Sequence, residues 1–380
     1  MTKKKLLVLI EWFAPGYKAG GPIQSCVNFA YALKDDFDIY VLTTDTDHGE
    51  TEPYPNVIAD QWMEYKKDGF KIYYAKRKSL SRNKLKQAMV EVGADYIYLN
   101  LLFSPYFSVY PLWLKYMGKL KGEVVLCPRG TLYDSALAVK PYKKKPFIQL
   151  FRSLGINKKI LFHATNEREK EAVQRFFPGS RVLIADNLPN SNQRPFASCE
   201  KSPGSLKCIF IARIVAIKNL LFLIEVLTKL KSNVELTVIG PSEDKEYWME
   251  CEKKIAQLPT NIQVNYLGAK RNDELADIIG KHHLFVLPTA GENFGHSIFE
   301  SLLCGRPVLI SDQTPWLHLQ EKKIGWDLPL NQPEKFQQAM EEAAQWDQAS
   351  FDEWASSSWE YAKKFISNPG LHSEYMQLFT

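Results

Sequence analysis

The chain has 380 residues, 45% of them hydrophobic, and 48 lysines and arginines against 43 aspartates and glutamates leave a formal charge of +5. That balance excludes a protein defined by bulk-charge binding to nucleic acid, so any anion site must be local. At roughly 150 residues per domain the length predicts two or three domains, two being the working number, and no segment approaches the ~18 uninterrupted apolar residues of a membrane span.

The six cysteines (Cys26, Cys127, Cys199, Cys208, Cys251 and Cys304) lie far apart, with no Cys-x-x-Cys and no Cys/His cluster at metal-ligand spacing. Buried thiols in a reducing cytoplasm and no bound metal are therefore expected. The opening MTKKKLLVLIEW is basic and then apolar, but Leu6 to Ile10 is too short for a signal sequence and Glu11 ends it, so a first strand is predicted there. No G-x-G-x-x-G comes after it, since the chain reads EWFAPGYKAGGP, and a dehydrogenase is disfavoured.

Further strand-like runs lie at Ile39 to Thr43, Lys71 to Tyr74, Tyr96 to Asn100, Val124 to Cys127, Ile160 to Ala164 and Val182 to Ile184. Helical segments are expected between them at Ile23 to Leu33, Lys84 to Val92, Tyr106 to Met117 and Glu167 to Phe176. This alternation predicts a doubly wound α/β domain over residues 1–190. Asp45-Thr46-Asp47 has a metal-binding spacing, but Asp pairs in loops are common for turn reasons alone. The stretch VKPYKKKPFIQLFRSLGINKK sets lysines beside aromatics. Its segment 140–152 suits either peripheral contact with an anionic membrane or an apolar face packed on its own domain.

LPNSNQRPFASCEKSPGS carries three prolines and no sustained periodicity, so 191–205 is read as a linker. The alternation restarts at Lys207 to Ile211, Glu235 to Ile239, Gln263 to Leu267, Leu284 to Leu287 and Val308 to Ile310, predicting a second α/β domain over 206–345. Residues 346–380 are expected to be helical and to cap the second domain or cross back to the first, with Trp346, Trp354, Trp359 and Tyr361 spaced for packing. Ligands of such sheets bind at the carboxyl ends of the strands.

Arg213 and Lys218 fall there, between the strand ending at Ile211 and a helix with Leu220, Leu221, Leu223, Ile224 and Leu227 on its apolar face. A guanidinium and an ammonium beside a helix N-terminus suit a diphosphate, although on spacing alone two solvated loop cations are the commoner case. In AGENFGHSIFESLLCGRPVLIS, a Gly291 to Gly295 turn releases a helix near His296, aiming N–H groups at an anion. Glu292 in the turn and Glu300 in the helix suit acceptors of sugar and ribose hydroxyls; the plain alternatives are an exposed loop acid and a helix-dipole partner.

Taken together, Arg213, Lys218, the Glu-x7-Glu spacing of ENFGHSIFE and the CGRPVLISD next to it resemble the retaining nucleotide-sugar glycosyltransferases of family four. The resemblance covers about Leu206 to Asp312 and implies the GT-B fold, two tandem Rossmann-like doubly wound domains with an interdomain cleft and a helical C-terminal tail. It implies a donor diphosphate neutralised by Arg213, Lys218 and N–H groups around Phe294, Gly295 and His296. Glu300 would then hold the ribose and Glu292 the transferred sugar, and Gly240 at the end of VELTVIG would belong to the donor site. AGGPIQS resembles the family's glycine-rich loop, where Gly20 and Gly21 would let backbone approach the donor.

Many relatives carry a histidine where this chain reads Cys127-Pro128-Arg129-Gly130, a Pro-Arg-Gly subgroup. Arg129 would bind a sugar, a phosphate or an acidic acceptor, but it cannot be a base. His163 is open between a site role and a structural one, and the acceptor loops are placed around Tyr17 and Tyr133. The resemblance implies no cofactor beyond the nucleotide-sugar substrate. The expected activity is transfer of a hexose-type sugar from a UDP- or GDP-sugar to a glycan hydroxyl, with lipid-linked glycan for bacterial surface polysaccharide as acceptor, in the cytoplasm or on the inner face of the plasma membrane. A nucleotide-sugar epimerase of the same architecture and a non-catalytic nucleotide-sugar-binding subunit are the rival readings.

Overall fold

The computed structural model describes residues 2–66, 69–190 and 195–380, which form two compact units. The first unit comprises the chain up to Leu188 together with Pro369–Thr380, and the second is Pro189–Asn368.

Unit one is built on eight strands: β1 (Lys4–Leu9), β2 (Phe37–Thr44), β3 (Trp62–Glu64), β4 (Lys71–Ala75), β5 (Tyr96–Asn100), β6 (Glu123–Cys127), β7 (Leu161–Ala164) and β8 (Arg181–Ile184). They lie in the order β3-β4-β2-β1-β5-β6-β7-β8, parallel throughout except that β3 runs antiparallel at the edge. Leu6, Leu7, Val8 and Leu9 are all fully buried, because β1 is central and covered on both faces, which demands a continuous apolar run instead of alternation. The connecting helices are α1 (Gly21–Leu33), α2 (Arg82–Val92), α3 (Tyr110–Tyr116), α4 (Asp134–Ala138), α5 (Pro141–Ser153) and α6 (Glu167–Phe176). The helix expected over Tyr106 to Met117 is divided, a π turn at Pro105–Val109 preceding α3, with Pro111 near the junction. The edge strand β3 has only three residues and no apolar alternation, so its sequence carries no strand signal.

Unit two repeats the plan with β9 (Ser205–Ile211), β10 (Asn233–Ile239), β11 (Ile262–Tyr266), β12 (Leu284–Leu287), β13 (Val308–Ser311) and β14 (Gly325–Leu328), all parallel in the order β11-β10-β9-β12-β13-β14. Its helices are α7 (Leu220–Leu227), α8 (Lys245–Ile255), α9 (Asn272–Ile279), α10 (His296–Leu303), α11 (Pro333–Gln345) and α12 (Gln348–Ile366). Trp326, Trp346 and Trp354 stack under the sheet with ring centroids 4.7 to 5.6 Å apart. The tail therefore divides: α12 belongs to unit two, and only the last helix, α13 (Pro369–Gln377), with the residues after it, joins unit one. There Phe379 meets Phe37, Tyr96 and Tyr98 edge-on, and Tyr375 lies against Phe29 and His163.

Residues 191–194 of the expected linker lie outside the described residues. The remainder, 195–205, is no free tether, because buried cations tie its backbone into unit two. Arg306 donates to Ala197 O at 3.0 Å, and Lys201 reaches back to Ala344 O at 2.9 Å and Trp346 O at 2.8 Å. The arginine of CGRP thus serves structure, being fully buried and bonded to the carbonyls of Gly280, Gly305 and Ala197.

Candidate active site

In unit two the chain leaves β9 toward β10 in one direction and β12 lies on the other side, so β9 and β12 flank a topological switch point, where ligands of open α/β sheets bind. Arg213 and Lys218 come after β9, and Glu292 comes after β12. The two loops are sewn together, Ala290 N donating to Ile217 O at 2.7 Å and Thr289 Oγ1 to the same carbonyl at 3.1 Å, and Glu292 N is held by Gln313 O in the loop after β13 at 3.1 Å. The consequence is a direct ion pair between Lys218 Nζ and Glu292 Oε1, whose side chains retain 14% and 15% exposure. They are sheltered enough to matter and open enough to be reached.

Arg213 is held by backbone geometry. Gly240, at the end of β10, adopts φ 146°, and a Cβ there would stand 1.8 Å from Ala212 O, the carbonyl just before Arg213. Only glycine permits that approach, so Gly240 shapes the arginine loop. The guanidinium pairs with Glu243 at 3.0 Å, a partner without a motif to flag it in the sequence.

The turn before α10 is also pinned. Phe294 is buried, its ring 5.2 Å from Trp316, and its carbonyl accepts from the indole N–H of Trp316. Gly295 caps α10 in the left-handed region at φ 80°, where a Cβ would meet Ile298 at 2.6 Å. His296 opens the helix with its ring 4.9 Å from Phe294. Phe294 is therefore an anchor, and the N–H groups of the first turn are what the turn offers an anion. Glu300, half-buried on α10, has no described side-chain hydrogen bond, and burial pushes its carboxyl up to about 7.

Unit one holds the remaining candidates. Gly20 and Gly21 begin α1, with Gly20 N bonded to Tyr17 O at 3.0 Å. Asp47 accepts from Tyr17 N at 2.8 Å and from the N–H groups of Lys18 and His48, while Asp45 accepts from Arg77 N at 2.8 Å. The Asp-x-Asp carboxylates spend their oxygens ordering loops. Tyr133, half-buried, donates to Asn166 Oδ1 at 3.3 Å.

Arg129 and His163 belong to one buried network. A left-handed backbone at Arg129, φ 52°, turns its side chain inward, where it donates to Asn100 Oδ1 at 2.9 Å, to Tyr98 Oη at 3.2 Å and to Asn187 Oδ1. His163 is fully buried, with Nδ1 on Tyr98 Oη and Nε2 on Ala185 O, both at 2.8 Å. Desolvation, aided by the Arg129 charge, lowers its pKa to about 3, so it stays neutral. A sugar- or acceptor-binding role for His163 fails on this geometry, because both ring nitrogens are used and no surface is left. Arg129, with the same network on its guanidinium and 9% exposure, is likewise an internal strut.

The comparisons agree with this layout. Residues 193–350 match the family model described as glycosyl transferases group 1. The match spans most of the second unit, Pro189–Asn368. Over 169 residues the chain is 25% identical to the N,N'-diacetylbacillosaminyl-diphospho-undecaprenol alpha-1,3-N-acetylgalactosaminyltransferase of Campylobacter jejuni, a stretch covering 44% of this chain and 37% of that enzyme. The chain thus aligns with little more than a third of its curated relative's length. Among solved structures, sucrose-phosphate synthase of Thermosynechococcus elongatus superposes with a TM-score of 0.73 at 15% identity, covering 99% of this chain and 98% of that one. Anabaena Alr3699/HepE, in complex with UDP and glucose, gives 0.72 at 14% identity with 98% of both chains covered. WaaG, a glycosyltransferase of lipopolysaccharide biosynthesis, gives 0.63 at 15% with 99% and 98% covered. These likenesses establish the GT-B fold. The matched stretch contains Arg213, Lys218, Gly240, Glu292, Phe294, Gly295, His296 and Glu300, whereas Gly20, Gly21, Tyr17, Arg129, Tyr133 and His163 lie in the other unit.

Proposed function

We propose that the chain is a retaining glycosyltransferase that moves a hexose-type residue from a UDP- or GDP-sugar to a hydroxyl of a lipid-linked glycan in bacterial surface polysaccharide synthesis. The observation that carries this is the sheltered Lys218–Glu292 pair at the β9/β12 switch point, on the same domain as Glu300, whose carboxyl has no hydrogen bond among the described residues. A donor diphosphate competes for Lys218 and releases Glu292 to the sugar hydroxyls. As the bond from the anomeric carbon to the diphosphate breaks, its electrons pass to the leaving oxygen. Lys218, Arg213 and the first-turn N–H groups of α10 meet that charge, and Glu292 offsets positive charge at the anomeric carbon. Glu300 accepts from the ribose hydroxyls.

These roles are electrostatic and need no metal or cofactor besides the nucleotide sugar. The nucleotide choice is supported by the UDP and glucose in HepE, and the acceptor class by the undecaprenol-linked substrate in the name of the Campylobacter relative. Peripheral contact with an anionic bilayer through 140–152 fits α5, whose Ile148 and Phe151 are buried while Tyr142 and Leu150 stay 69% and 57% exposed beside Lys143 and Lys145. No helix among the described residues is long and apolar enough to cross a membrane. The cytoplasmic face of the plasma membrane is the proposed location.

Thermal shift of the purified protein against UDP, GDP, ADP and their common sugars tests the reading. One nucleotide at a hundred times its dissociation constant should stabilise the fold by about 2.7 kcal/mol. No response to any of them would remove the donor-site assignment.

A further inference from the structure

A further loop meets the cations of the candidate site. It leaves β10, which flanks β9 on the side away from β12, and runs from Gly240 to the start of α8 at Lys245. Several contacts fix it against the β9 loop. Gly240 lies against Ala212 O, Ile214 N donates to Pro241 O at 2.9 Å, and Leu221 N in the first turn of α7 donates to Tyr247 Oη at 3.1 Å. Asp244 caps α8 by accepting from Tyr247 N at 3.0 Å. Glu243 stands between these anchors, so the backbone on both sides of it is set.

Its pairing with Arg213 is partial. Oε2 takes Nη1 at 3.0 Å, which uses one edge of the guanidinium and leaves the rest of its fork open to a phosphate. The side chains of Arg213 and Glu243 keep 39% and 23% exposure, so an incoming anion reaches the pair. Lys218 has its own carboxylate in Glu292, on the β12 side. Each cation of the site therefore faces one carboxylate, and the two carboxylates come from loops on opposite sides of β9. Their fates differ when a donor arrives. Glu292 turns to the transferred sugar, whereas Glu243, on the far side of β9, keeps its place beside Arg213.

We propose that Glu243 is a positioning residue that tempers the hold of Arg213 on the diphosphate, so that the nucleoside diphosphate left by transfer dissociates. The proposal deepens the glycosyltransferase reading and rests on it. Cations without counter-charge would grip donor and product alike, and such uniform binding slows release without lowering the barrier. A carboxylate one hydrogen bond away keeps the guanidinium oriented and offsets part of its charge toward every anion it meets.

Calorimetric titration of the full chain with UDP and with GDP tests this, at low salt and at about 1 M sodium chloride, where charges are screened beyond about 3 Å. Glu243→Gln keeps the shape and removes the charge. It should bind the preferred nucleotide roughly three- to tenfold more tightly than wild type at low salt, and the gain should vanish at high salt. Glu243→Asp, which keeps the charge, should stay near the wild-type affinity. Both variants should retain the wild-type thermal midpoint, because an ion pair this open contributes little to stability. Equal or weaker nucleotide binding in Glu243→Gln, a gain that persists in high salt, or the same gain in Glu243→Asp overturns the proposal and leaves the donor site in place. Binding of neither nucleotide by the wild-type chain removes the donor-site reading and this assignment with it.

Discussion

Two glutamates separate the roles of the two units. Glu169 in unit one is fully buried, and burial raises its pKa, but its oxygens accept from Gly130 N, Thr165 N at 2.9 Å and Thr165 Oγ1 at 2.8 Å. Glu300 in unit two is raised by burial as well, yet no described side-chain hydrogen bond compensates it. The same contrast holds for the cations. Arg129 satisfies three neighbours in the interior, while Lys218 makes one exchangeable pair at a crevice. A buried charge with its partners in place is architecture, and a desolvated charge without them marks a place where a ligand supplies the partners.

The contrast breaks most visibly at Arg129. Arg129→Met leaves Asn100, Asn187 and Tyr98 without their donor, each unsatisfied buried acceptor costing about 1–3 kcal/mol of stability. Urea unfolding should show the loss while calorimetry finds nucleotide affinity unchanged. Full stability with lost transfer would make Arg129 a ligand residue instead. Lys218→Ala and Glu292→Ala should do the reverse, lowering turnover by roughly 10²–10³-fold with circular dichroism and thermal midpoint near wild type. Near-normal turnover in either variant would sink the assignment. A smaller effect is expected from Gly240→Ala, where the clash with Ala212 O must push the Arg213 loop aside. About 1–3 kcal/mol of destabilisation with weaker nucleotide binding is predicted. Smallest is Asp45→Asn, whose amide oxygen still accepts from Arg77 N. A change below about 1 kcal/mol and turnover indifferent to EDTA are expected, and strong EDTA inhibition would revive the metal reading of Asp-x-Asp.

Much of the architecture was legible because parallel sheets write themselves as apolar runs. Tyr96–Asn100 and Leu284–Leu287 have the expected ends, and most other strands differ by only a residue or two. The elements that escaped lack a local signal: the three-residue β3, the half-polar Gly-Trp-Asp-Leu of β14, and the packing of 195–205 against unit two, which depends on distant Arg306 and Lys201. In the site, Lys218 and Glu292 are 74 positions apart, yet each comes after a recognisable strand and the structure joins them. His163 stayed open in the sequence because a histidine at a strand end looks the same whether it faces a ligand or Tyr98.

The most direct measurement concerns the proton on Glu300. Its folded pKa of about 7 lies above the ordinary 4.5, so the folded chain holds the proton through that window and the unfolded chain does not. Its contribution to stability is therefore greatest below the window and is lost as pH rises through it. Ribose hydroxyls donating to the carboxylate favour the ionised form, so nucleotide binding should expel the proton. Titration calorimetry at pH near 6.5 with UDP-glucose, or GDP-mannose if guanine nucleotides stabilise the fold, reads this directly when repeated in two buffers of different ionisation enthalpy. Release of roughly half a proton or more is expected, absent in Glu300→Gln. Binding without proton release, or release that survives in Glu300→Gln, would contradict a ribose-binding carboxylate at this position.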